Sequence, residues 1–192
     1  MGTKLNVVGI IGGIIAFVSL FFPWWTMTLS VTVSMSSASE TISIYPYRIA
    51  TIVQLASGNF ATTQVDIWYG WVALVLLVIG GLLGLAGSIR QKTKGPVVVG
   101  GILALLAVII FVVGLQNDLS NSAVLSGWPA MGLFGSGTFG MFNYSAYLSY
   151  GFWLALAAAI IMLVASLKRR ETTLTPPTPT STLQTVPPTA AN

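Results

Sequence analysis

Residues Trp68–Ile89 read WYGWVALVLLVIGGLLGLAGSI, with no Asp, Glu, Lys, Arg or His anywhere in the run. A bilayer's hydrocarbon core is about 30 Å thick, and a helix rising ~1.5 Å per residue crosses it in about 20 residues. The stretch is therefore long enough and apolar enough to span. Three more runs share its character: Leu5–Trp25, Pro96–Leu115 and Ala146–Leu167. Only 6% of the 192 residues are charged, against about 25% in an ordinary soluble domain. The expectation is an all-α membrane fold, a bundle of four transmembrane helices over residues 1–170. The outer loops are 26–67 and 116–145, the first carrying a small extracellular β-hairpin or sheet.

Charge sets the expected orientation. Lys4, Arg90, Lys92, Lys94, Lys168, Arg169 and Arg170 all fall on the side of the two termini and the 90–95 turn, and only Arg48 falls on the other. Lys and Arg are retained in the cytoplasm. This places both termini inside a multipass plasma-membrane protein and explains the net charge of +4 without nucleic acid. Every Trp and Tyr lies near the outer helix ends or in the outer loops, where an amphipathic ring suits the headgroup zone. The first run is too long for a cleaved signal peptide and reads as an uncleaved helix.

After Pro23, the stretch Thr26-Met27-Thr28-Leu29-Ser30-Val31-Thr32-Val33-Ser34-Met35 alternates polar and apolar residues. That period of two predicts a half-buried strand, with Met27, Leu29, Val31, Val33 and Met35 on the buried face. Thr41-Ile42-Ser43-Ile44-Tyr45 alternates again and completes a hairpin, while residues 49–56 suit a short helix or a third strand. Asp66 reads as a cap for the second helix. The second outer loop contains Trp128 through Phe142, uncharged and rich in Gly and Phe, a composition that also occurs in membrane-fusion segments. With Trp24 and Trp25, the rings Trp128, Phe134, Phe139 and Phe142 form the expected outer interaction surface. Asn143-Tyr144-Ser145 is a glycosylation sequon on that side. Residues 171–192 carry eight Thr and five Pro. They are too polar to fold and read as a disordered cytoplasmic tail with one P-x-x-P spacing.

Chemistry is sparse. There is no Cys and no His, so thiolate or imidazole metal sites, disulfides and a His-activated Ser are excluded. No cofactor, no small-molecule substrate and no enzymatic role are expected. The spans do carry small residues at four-residue spacing: Gly9 and Gly13, Gly80 and Gly84 continued by Ser88, Gly100 and Ala104, Gly151 and Ala155. Such rows let helices approach closely in lipid. A backbone is expected against Gly80 and Gly84, from the first or the third helix, with Leu77 turned to lipid.

A Trp-ended first helix, a long β-forming first outer loop, a shorter second loop and a polar tail together resemble the claudin and peripheral-myelin-protein tetraspan superfamily. The resemblance is topological and covers nearly the whole chain. The family's Gly-Leu-Trp and paired cysteines do not occur, so no functional residues carry over. The expected role is a scaffold or accessory subunit acting through outer loops and helix packing, with the lipid bilayer and a protein partner or further copies of the chain as partners. The alternatives are a small channel or transporter subunit and, third, a membrane-remodelling protein.

Overall fold

The computed structural model describes residues 6–33, 36–55, 58–64, 67–89, 95–121 and 132–167. Four helices, α1 (Val7–Ser19), α2 (Trp68–Ile89), α3 (Gly95–Asn121) and α4 (Tyr150–Leu167), pack as a ring in which each touches the next and α4 closes on α1. The strands are β1 (Trp25–Val33), β2 (Ser36–Tyr45), β3 (Arg48–Leu55), β4 (Gly58–Gln64), β5 (Gly135–Phe139) and β6 (Phe142–Leu148). They form one antiparallel six-stranded sheet in the order β4-β3-β2-β1-β6-β5.

The all-α expectation is thus overturned. The outer region is no small hairpin in the first loop but a sheet built from both loops. β1 is its seam, pairing with β2 on one side and with β6 on the other. Three helix boundaries shift, two of them because the sheet takes the residues. The first helix ends at Ser19 and not at Trp25, because Pro23 has no N–H to continue it and the Trp24 N–H donates to Ile44 O at 2.8 Å, joining the sheet. Residues 146–148 belong to β6, so the last helix starts at Tyr150. α3 runs on past Leu115 to Asn121, helped by Ser120 Oγ donating to Gln116 O at 2.8 Å and Asn121 Nδ2 donating to Asn117 Oδ1 at 2.9 Å.

Three helices, α2, α3 and α4, are long and apolar enough to cross a membrane. This corrects the expectation of four, since α1 has only 13 helical residues among those described, about 20 Å of rise. The packing of the ring is inverted relative to a water-soluble bundle. On α2 the buried set includes Gly70, Ala73, Gly80, Gly81, Gly84 and Gly87, whereas Val72, Val75, Ile79 and Leu82 are exposed. On α3, Gly100, Gly101, Ala104 and Ala107 are inside and Val99, Ile102, Leu106, Ile109 and Val113 outside. Water would drive the large side chains inward. Lipid exerts no such force and rewards close backbone approach.

The backbone hydrogen bonds that fasten the sheet to the ring gather at Pro23 and Trp24. Trp24 is fully buried, with Nε1 donating to Ser19 O at 3.1 Å and its ring 4.9 Å edge-on from Phe111. Its carbonyl accepts from Ser149 N at 2.9 Å, and Pro23 O accepts from Gly151 N at 2.9 Å. The end of α1, the start of β1 and the start of α4 therefore share backbone hydrogen bonds, which fixes the tilt of the sheet on the helices.

Candidate functional site

The helix-packing residues come together as internal contacts. A Cβ at Gly80 would lie 2.7 Å from Gly100 O, and one at Gly100 would lie 2.9 Å from Gly84 N, so α2 and α3 cross backbone to backbone here, with Ala104 N beside them. Lower on α2, Gly84 faces Met162 of α4 and Ser88 faces Gly9 of α1. Gly13 meets Leu85 and Gly81 O. The one glycine row thus serves three helices in succession. Gly151 lies against Pro23 O and Trp24, and Ala155 is fully buried on the same helix. Leu77, expected toward lipid, is 1% exposed and belongs to the core. Buried hydroxyls are satisfied within their own helices: Ser19 Oγ donates to Ala16 O at 2.7 Å and Ser88 Oγ to Gly84 O at 2.6 Å.

The outer aromatics separate into two groups. Trp24 and Trp25 are 0% and 2% exposed, interior residues instead of surface ones, and Trp25 Nε1 donates to Leu133 O at 3.1 Å. Phe134 and Phe142 are exposed. Phe139 pairs with Phe142 across the β5–β6 hairpin, whose two-residue turn needs the positive φ of Gly140, +60°. Trp128 lies outside the described residues, as do Asp66, the tail and every base but Arg48. An exposed belt of Phe21, Trp68, Trp71, Tyr150 and Trp153 circles the sheet end of the ring.

Side chains alternate across a sheet, so the register sorts them into two faces. One face bears Trp25, Met27, Ile44, Ala146 and Leu148, which join helix side chains in the core. Farther from the helices this face continues as Leu29, Val31, Ala38, Val53 and Phe142, which line a shallow groove of about 160 Å³. Met27 is buried and Leu29 packs against the core, as the alternation predicts, but Val31 is only half buried. Met35 lies outside the described residues, and burial of the Val33 side chain is not among those described.

The opposite face is mostly hydroxyls and amides, with Ile52 exposed among them on β3. One row across all six strands reads Asn59, Gln54, Ser39, Ser30, Asn143 and Thr138, and the next includes Thr41, Thr28, Ser145 and Ser136. Ser39 Oγ donates to Gln54 Oε1 at 3.3 Å between neighbouring strands. The sequon residue Asn143 is exposed on this face.

Two charges stand on the described sheet. Arg48 lies on the hydroxyl face at the β2–β3 turn, its guanidinium 4.9 Å from the Tyr45 ring centre and 5.4 Å from that of Tyr47. Both distances are within cation–π range. That turn is seated on α2, where Gly70 leaves room for Pro46 O. Glu40 lies on the other face, in the groove, between Leu29 and Val53 across the strands. In the sequence, Glu40 counts only as one of the few acids of the outer side. The signal was present, because Glu40 interrupts the apolar phase of Ala38, Ile42 and Ile44. Among the described residues no three His, Cys, Asp or Glu side chains gather to hold a metal.

No protein-family model and no curated protein sequence matches the chain.

Proposed function

We propose that the protein is a multipass plasma-membrane protein with a structural or accessory-subunit role, holding its sheet outside the membrane as a rigid platform for assembly with a protein partner or with further copies of itself. Both termini lie in the cytoplasm on this reading, which follows the distribution of Lys and Arg. The observation that carries it is the fastening at Pro23–Trp24. Backbone hydrogen bonds from β2 and from the start of α4 converge there, so the sheet cannot tumble independently of the helices. A platform held at a fixed height and tilt favours repeated two-dimensional assembly.

The inverted packing supports the lipid-embedded half, and the belt of Trp, Tyr and Phe at the sheet end marks the headgroup level. A non-enzymatic role accords with the scarcity of acids, bases and nucleophiles. A pore through one copy is disfavoured, because Leu77, Phe111 and Met162 are fully buried within the ring. The likeness to claudin-type tetraspans stands as a proposal about architecture, supported by the β-forming first loop between α1 and α2.

Native mass spectrometry of the detergent-extracted protein tests the role. A stable partner or a regular oligomer is the expected result. A bare monomer that conducts solutes in liposomes would replace this reading with that of a transporter or channel.

A further inference from the structure

We propose that the groove over Leu29, Val31, Ala38 and Val53 binds a monovalent organic ammonium ion with an apolar body about the size of a phenyl ring, Glu40 meeting the charge and Phe142 flanking it. The groove measures about 160 Å³. A cavity of about 150 Å³ with aliphatic and aromatic walls holds one benzene ring. The groove matches that volume but is shallow and open to one side, so the apolar body rests in it partly covered.

The charge has a reason to enter. Glu40 projects from the apolar face with Leu29 on one neighbouring strand and Val53 on the other. Arg48, the one base among the described residues, pairs with Tyr45 on the opposite face of the same sheet and cannot reach it. Ser30 and Ser39 also line the groove, and the carboxylate stands between Leu29 and Val53 without a counter-ion from the described residues. A carboxylate at the edge of an apolar groove attracts an alkylammonium group through a charge-assisted hydrogen bond, and the apolar body then lies over Leu29 and Val31 toward Phe142, which stands across β1 from Glu40. A metal ion fits poorly, since a hard cation takes about six oxygen ligands and a single carboxylate lines this groove. An anionic ligand is repelled by the same carboxylate.

The site lies wholly on the sheet, so its test is independent of membrane orientation and of any assembly partner. The full-length protein in discs of zwitterionic lipid is titrated with phenethylammonium, 2-phenylethanol and phenylacetate, with empty discs subtracted for partitioning. The ammonium should bind at least about tenfold more tightly than the alcohol, the scale of one hydrogen bond to a charged group, and phenylacetate more weakly than either. In Glu40→Gln the advantage of the ammonium over the alcohol should fall to within about twofold, with an unchanged melting curve. Ala38→Trp, which fills the groove floor, should weaken both. Equal binding of ammonium and alcohol by the unmodified protein overturns the proposal without recourse to any variant, and so does discrimination that survives Glu40→Gln.

Discussion

At Gly100 the space for a side chain is already taken. A Cβ there would overlap Gly80 O and lie 2.9 Å from Gly84 N, atoms of a neighbouring backbone that cannot rotate away. Gly100→Leu must therefore separate α2 from α3 and lose contacts along their shared seam. Overpacking of a tight interior costs about 1–3 kcal/mol, and backbone neighbours put this site at the upper end or beyond. The expected result is a clear drop in melting temperature in detergent, whereas Ile79→Ala, 43% exposed on the outer side of α2, should move it little. An equal response at both positions would mean that the seam does not hold the ring together. Small-residue spacing was legible in the sequence because Gly and Ala at four-residue intervals have few other uses in an apolar helix. The direction of Leu77 was not. In a helix that is apolar all round, no polar face marks which side is out, and only the partner helices decide.

Among the elements, β1 and the Thr41–Tyr45 half of β2 could be read because their polar and apolar residues alternate, and α2 because it is long and uninterrupted; Ser36–Ser39 reads as a turn in the sequence but opens β2. β4, Gly58–Gln64, lacks alternation: of Gly58, Phe60 and Thr62, which the register puts on the apolar side, only Phe60 is a large apolar residue. Residues Ala146–Leu148 of β6 run directly into α4, and a short apolar run carries no period that separates strand from helix. Its pairing with β1 decides the matter, Leu29 opposite Tyr144 and Met27 opposite Ala146, and that information lies more than a hundred residues away in the chain. The seam strand should consequently be intolerant of charge on its inner face. Met27 is 2% exposed and sits between Ile42 and Ala146, so Met27→Asp buries an unpaired carboxylate. We expect a loss of about 3 kcal/mol or more, the scale of such burials. Ser30→Asp, half exposed on the hydroxyl face, should cost about 0.5 kcal/mol, as surface changes do. Chemical denaturation of the two variants side by side measures both. If Met27→Asp is as mild as Ser30→Asp, the seam is not packed as described.

On the scale of the whole molecule, the sheet and the ring make opposite use of side chains. The ring buries its glycines and alanines and displays many of its large apolar residues, while the sheet turns its apolar core face toward the ring and displays mostly hydroxyls and amides away from it. Such a molecule has one end suited to lipid and one suited to water, and the aromatic belt marks the boundary. The proposed orientation rests on charge, with seven bases on one side and Arg48 alone on the other. The chain contains no Cys, so single cysteines can be placed against a silent background. Ser37→Cys on β2 and Ser136→Cys on β5 sit on exposed positions at opposite flanks of the seam strand. Both should react with a membrane-impermeant maleimide in intact cells. Thr93→Cys and Thr180→Cys, beside the basic clusters, should react only after lysis. Because β2 and β5 belong to one sheet, Ser37→Cys and Ser136→Cys must give the same answer. Divergence between them would break the six-stranded sheet itself, whereas protection of both with labelling at Thr93→Cys would invert the orientation and leave the fold intact.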